Sequence, residues 1–213
     1  MFEVIYEHDQ FIIINKANGY SFQGDEGVLA KLREMGEFYG VHRLDKETSG
    51  LMVFAKNKRA QSELSRCFEN REVVKYYCAL SSSRPVKKQG KIIGDLVKGR
   101  GGNYYLKKTK QHPSVTQFVS DYNNEHQLRV FLLRPLTGKT HQLRVVLKAL
   151  GSVILGDKRY GGLESDRMYL HAWKLEFSFM ENIYKFSAPP ARGELFNDKI
   201  IEEIDQLYLT KTF

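Results

Sequence analysis

Residues 39–57 read YGVHRLDKETSGLMVFAKN. One carboxylate, Asp45, stands between Arg43 and Lys46 in a polar turn, and that turn runs straight into the apolar stretch 51–55. Five apolar residues bounded by turn signals read as a buried strand. A turn aspartate ordinarily accepts main-chain N–H bonds, caps a helix or pairs with a neighbouring arginine. Two features point further. The flanking cations favour an ionised carboxylate, which a nucleophile or general base requires. Thr48, Ser49 and Gly50 add two hydroxyls and a flexible glycine just before a strand able to pin the loop. From local residues alone the structural and chemical readings both stand.

Outward from this stretch, residues 2–6 and 10–15 read as short strands, and 27–35 as a short helix. Asn57 is placed to cap a helix whose Ala60, Leu64 and Phe68 recur every four residues on one face. β-branched and aromatic residues mark a strand over 72–80, with further strands over 91–97, 114–122 and 127–133, the last two joined at Asn123-Asn124. Residues 140–150 read as a helix closed by Gly151. A hairpin is expected over 167–179 and 183–186, and an amphipathic helix over 194–209. Strands dominate the middle without regular βαβ alternation, which predicts an α+β domain around a mixed, largely antiparallel central sheet flanked by helices.

At 213 residues, 42% hydrophobic and 12% aromatic, the chain can bury a substantial core, and a single domain over 1–213 is expected. No run is long enough for a membrane-spanning helix, so no membrane is expected. Glu3, Glu7 and Asp9 stand where a signal peptide would be basic, which points to a cytoplasmic protein. Cys67 and Cys78 fit reduced thiols. Nine lysines and arginines against a single acid, Asp95, crowd residues 84–110, an excess equal to the net charge of +8 for the whole chain. With Tyr104 and Tyr105 and a flexible GRGG, that segment reads as a basic, mobile insertion contacting RNA phosphates, notably through Lys107 and Lys108, or more plainly as a solvated hairpin.

Other chemistries lack support. Thr-Gly-Lys-Thr at 137–140 is no phosphate loop, because Leu133 stands where its first glycine belongs. Lys139, His141 and Arg144 could still meet RNA phosphates near a helix start. The six histidines show no metal-ligand spacing, so no metal is expected. Ser49 lies outside any G-x-S-x-G elbow. His171 reads as a satisfied sheet histidine and Trp173 as core.

HRLDKETSGLMVFAKN resembles the catalytic motif of the RluA-type pseudouridine synthases. Four further blocks resemble that family in the same order: YEHDQFIIINKANG before it, then VVKYYCAL, LLRPLTGKTHQLRVVLKALGSVILGDKRYGG and YLHAWKLEF. The resemblance implies the pseudouridine synthase catalytic fold, with an active-site cleft across the sheet. It makes Asp45 the catalytic aspartate, Tyr77 the tyrosine beneath the uracil and Arg144 the arginine paired with the aspartate. Leu143 becomes an apolar wall beside the base, and Arg43 the residue pushed into the RNA as the base leaves. His42, Thr48, Ser49 and Gly50 shape the catalytic loop, and Thr140, His141 and Gln142 the opposite one. Three positions depart from the pattern: Lys139 replaces arginine, Val146 histidine and Ala17 proline. The S4-like module frequent in the family is not expected. The implied function is isomerisation of uridine in rRNA or tRNA by a monomer without cofactor. The alternative is a catalytically silent RNA-binding or ribosome-assembly protein of the same fold, which could tolerate loss of Asp45.

Overall fold

The computed structural model describes residues 1–211. In chain order the elements are β1 (Phe2–Glu7), β2 (Phe11–Lys16), α1 (Val28–Arg33), β3 (Tyr39–Gly40), β4 (Ser49–Ala55), α2 (Lys58–Glu69) and β5 (Val74–Ser81). There follow β6 (Gln89–Lys98), β7 (Tyr104–Lys107), β8 (Ser114–Asn123), β9 (Leu128–Pro135), α3 (Gln142–Ala149), β10 (Leu170–Phe179), β11 (Asn182–Ser187) and α4 (Asp198–Thr210). The chain divides into two compact units, Met1–Lys75 with His171–Pro190, and Tyr76–Leu170 with the segment from Ala191 onward.

In the first unit the strands lie in the order β1-β2-β4-β10-β11, with the short β3 also paired to β4. β4 runs parallel to β10, and the other pairings in this unit are antiparallel. Every residue of β4 is buried. That explains its continuous apolar run, since a strand covered on both faces has no polar side to show. Leu51, Val53 and Ala55 share an apolar cluster with Ala60 and Leu64 of α2 and with Phe11, Leu175 and Phe177. The expected Asn57 cap is present, its side chain accepting from the Ala60 N–H at 2.9 Å.

In the second unit the order is β5-β9-β8-β6-β7, antiparallel throughout. Leu143, Val146, Leu147 and Leu150 form the apolar stripe of α3, packed on Ala79, Phe118, Phe131 and Leu133. The fold is therefore α+β, as the sequence predicts, with mixed and largely antiparallel strands and helices laid against them. No helix among the described residues is long and apolar enough to cross a membrane.

Differences from the sequence reading lie at element ends. The last helix begins at Asp198 because the Asn197 side chain accepts from the Ile200 N–H at 3.1 Å and stops earlier residues from joining. β8 runs through Asn123, and the turn falls later, ending at Gln127 with φ 52°. Met180 and Glu181, both at positive φ, make the two-residue turn between β10 and β11 without glycine or asparagine. β3 and β7 are too short for periodicity to reveal, and β7 turns the basic segment into a hairpin with β6.

Candidate active site

The first unit carries Asp45 on a short turn held from below. Leu44 is buried and anchors it, Asp45 is half-buried, and Arg43, Lys46 and Glu47 are exposed. The turn closes when the Thr48 N–H donates to the Asp45 carbonyl at 3.1 Å. The next carbonyl, that of Lys46, accepts from the Gly19 N–H at 2.9 Å and from the Lys16 ammonium at 3.1 Å. Lys16 is fully buried at the end of β2 and also donates to the carbonyls of Ala17 and Tyr20 at 2.8 and 2.9 Å. A buried ammonium is tolerable only when such acceptors replace its water. Lys16 thus ties the loop 17–20 to the residue beside Asp45. Sequence reasoning did not single it out, although a lysine ending an otherwise apolar strand is the available signal.

Behind the turn, Thr48 and Ser49 are buried. Ser49 Oγ lies 2.8 Å from His171 Nδ1, and His171 Nε2 lies 2.7 Å from the Ala188 carbonyl. A carbonyl only accepts, so Nε2 carries the proton and Nδ1 accepts from the serine. His171 is the satisfied sheet histidine that the sequence suggests. Gly50 has φ 118°, and a Cβ there would stand 2.3 Å from the Ala172 carbonyl oxygen, so only glycine lets β4 begin against β10.

His42 faces inward. β3 supplies only two rungs to β4, and the His42 ring supplies the next, its Nε2 accepting from the Val53 N–H at 3.0 Å. The ring stacks on Phe68 with centroids 4.4 Å apart. Burial, helped by the nearby Lys75 ammonium, pulls its pKa down to about 3. Between roughly pH 6.5, where a free histidine titrates, and that value, the unfolded chain binds a proton that the folded one refuses. His42 therefore contributes stability near neutrality that is lost as pH falls through this window. His42→Gln keeps an acceptor without a titrating group, so its denaturation midpoint should fall less steeply than wild type between pH 6.5 and 4.5. Equal slopes would remove His42 from the acid sensitivity.

The second unit carries the other candidates. Tyr77 is half-buried on β5, opposite Leu133, and packs on the cluster that contains Leu143. Leu143 is thus a member, and Tyr77 a marginal residue, of one apolar cluster. The loop before α3 is organised by buried Gln142. Its Oε1 accepts from the Lys139 N–H at 3.0 Å and the Thr137 hydroxyl at 2.7 Å. Its Nε2 donates to the Val115 carbonyl and the Thr116 hydroxyl. His141, at φ 55°, turns the chain into the helix. Lys139 and Thr140 stay exposed, as do Lys107 at the end of β7 and Lys108 after it.

Arg144 is buried and makes a two-pronged bond to Asp157, Nε to Oδ2 at 2.8 Å and Nη2 to Oδ1 at 2.7 Å. The Asp157 side chain is wholly shielded from water. Its loop is compressed by Gly156, φ 78°, where a Cβ would stand 1.8 Å from the Arg167 carbonyl oxygen. The Tyr160 ring lies 5.1 Å from the Arg144 guanidinium. Neither Asp157 nor Tyr160 was picked out from sequence, although both lie in the GDKRYGG block.

The comparisons with known proteins agree among themselves. A family model described as RNA pseudouridylate synthase matches residues 10–149. A relative in Haemophilus influenzae, called an uncharacterized RNA pseudouridine synthase, is 45% identical over 99% of this chain and 97% of its own length. A ribosomal large subunit pseudouridine synthase C of Rickettsia felis is 36% identical over 79% of this chain, which spans 60% of that longer relative. The solved human RNA pseudouridylate synthase domain containing 1 superposes with a TM-score of 0.78 at 27% identity, covering 99% of this chain and 96% of that one.

Proposed function

Because the chain belongs to the RNA pseudouridylate synthase family and is an RNA pseudouridine synthase, we propose that it isomerises particular uridines of structured ribosomal or transfer RNA, flipping each from its stack, with Asp45 as the essential carboxylate. The observation that carries this reading is the build of the Asp45 turn. Buried Leu44, the Lys16 ammonium and the strand β4 fix its backbone while the carboxylate itself stays half-exposed. A carboxylate held rigidly at a surface is ready for a substrate and pays little reorganisation cost. The silent-binder alternative has no need of such a support.

The reaction breaks N1–C1′ and forms C5–C1′ on the same base, with no net redox change: the hydrogen on C5 leaves as a proton and N1 takes one up. Asp45 acts by adding to C6, capturing C1′ or removing the C2′ proton. Tyr77 and Leu143 supply an aromatic face and an apolar wall to the flat base, and Arg144 supplies positive charge. Arg43, exposed beside the turn, fills the space that the flipped base leaves. Unstacking costs a few kcal/mol, which favours loops and weakly paired targets. Phosphate contacts by Lys139, His141 and the basic hairpin offset that cost. The enzyme acts as a cytoplasmic monomer.

The test is release of tritium from RNA labelled at uridine C5, incubated with purified protein. Release matched by pseudouridine in the product is expected. Its absence across ribosomal and transfer RNA that lacks the modification would refute the reading. Neutralising Lys107, Lys108 and Lys110 together should weaken RNA binding. It should also flatten the plot of log affinity against log salt by about 2 to 3, and an unchanged slope would separate the hairpin from the RNA.

A further inference from the structure

Residues 157, 159 and 160, in the loop after α3, reach different places in the second unit. Asp157 holds Arg144. Arg159 Nη1 donates to the Gly101 carbonyl at 3.0 Å and to Asn103 Oδ1 at 3.3 Å, both at the tip of the β6–β7 hairpin. The hydroxyl of buried Tyr160 accepts from the Tyr104 N–H at 3.0 Å, where β7 begins, and lies 2.9 Å from His141 Nδ1. The same tyrosine returns to the ion pair twice, since its N–H donates to Asp157 Oδ1 at 3.3 Å and its ring lies under the Arg144 guanidinium. The Lys148 ammonium, 5.6 Å from the ring, shares it. The rings of Tyr104 and His141 meet edge to face at 5.7 Å. The basic hairpin is thus held by Arg159 and Tyr160, and of these Tyr160 also meets the Arg144–Asp157 pair.

We propose that Tyr160 is a positioning residue that couples the docking of the basic hairpin to the Arg144–Asp157 pair, so that RNA held on the hairpin steadies the catalytic arginine. The kinetic part rests on the function proposed above, whereas the coupling belongs to the protein alone. A hairpin in place satisfies the Tyr160 hydroxyl and fixes its ring, and the fixed ring and N–H keep Asp157 and Arg144 in a single geometry. A hairpin pulled away takes the Tyr104 N–H from the Tyr160 hydroxyl and leaves it His141 Nδ1 alone, so the ring is held at fewer points. Binding at the hairpin therefore selects the docked form, and the docked form is the one with Arg144 held.

Two measurements without RNA test the coupling. Tyr160→Phe keeps the ring and removes the hydroxyl. Hydrogen exchange should speed up about tenfold at the Tyr104 amide, the equivalent of one lost hydrogen bond, and also at the Arg144 Nε–H, while the Val130 amide in the core is unchanged. Arg159→Gln releases the hairpin tip without touching Arg144, and it should speed the Arg144 Nε–H in the wild-type background but add nothing to Tyr160→Phe. If Arg159→Gln loosens Tyr104 and leaves the Arg144 Nε–H unmoved, the coupling is overturned. Uniform acceleration that includes Val130 would reduce Tyr160 to a packing residue, which also overturns it. On RNA, Tyr160→Phe should lower kcat several-fold with an unaltered salt slope of binding. A wild-type protein that forms no pseudouridine refutes the proposed function and leaves the exchange result to decide the coupling.

Discussion

Asp45→Asn is expected to abolish pseudouridine formation while the protein folds and binds RNA much as wild type does. Asparagine has nearly the same shape, and the bond that closes the turn uses the main-chain carbonyl at position 45, which the substitution leaves in place. Lys16, Gly19 and Leu44 hold the loop through atoms the substitution does not touch. What disappears is the negative charge, and with it any role as nucleophile or base. Loss of such a group typically costs roughly 10² to 10⁴ in rate when it moves a proton, and more when it forms the covalent bond. Single-turnover assays with excess enzyme give the rate, and filter binding gives the affinity. A variant that retained a tenth of wild-type turnover would take Asp45 out of the chemistry.

Arg144→Ala should cost both stability and activity. The Asp157 carboxylate has no exposed surface, and two of the bonds it accepts come from Arg144. Truncating the arginine leaves a buried charge facing the Tyr160 N–H, and breaking a buried pair from one side costs about 3 to 5 kcal/mol. Arg144→Lys restores the charge but not the fork, so it should recover only part of the loss. Replacing both partners, Arg144→Met with Asp157→Leu, removes the stranded charge and should restore most of the stability with none of the activity. Urea midpoints for the three variants decide the matter. A fully stable Arg144→Ala protein would show that Asp157 finds other partners at no cost.

Most of the longer strands and the turn that bears Asp45 were legible because hydrophobic runs and turn residues act locally. β4 shows the limits of that reading, since its unbroken apolar run announces burial without naming which neighbours cover it. The candidates in the second unit were legible only through the resemblance. Nothing local tells an arginine such as Arg144, thirteen positions from its carboxylate and on a helix, from a surface arginine making an ion pair. Lys16 was missed for a similar reason. Lysine is rarely buried, and its acceptors lie on loops that only the folded chain brings together. His42 illustrates a third case. Its place in the motif marked it as part of the catalytic loop, and nothing local shows that its ring completes a ladder that β3 is too short to finish. The docking of the hairpin on Arg159 and Tyr160 joins residues more than fifty positions apart, beyond the reach of any periodic signal.

The account stands or falls on whether this chain makes pseudouridine through Asp45. Pseudouridine can be mapped at single-nucleotide resolution in total RNA from cells lacking the gene, and again after the gene is returned as wild type or as Asp45→Asn. The account predicts at least one ribosomal or transfer RNA site that vanishes on deletion, returns with wild type and stays absent with the variant. Restoration of that site by Asp45→Asn, or a map that deletion leaves unchanged, would contradict it.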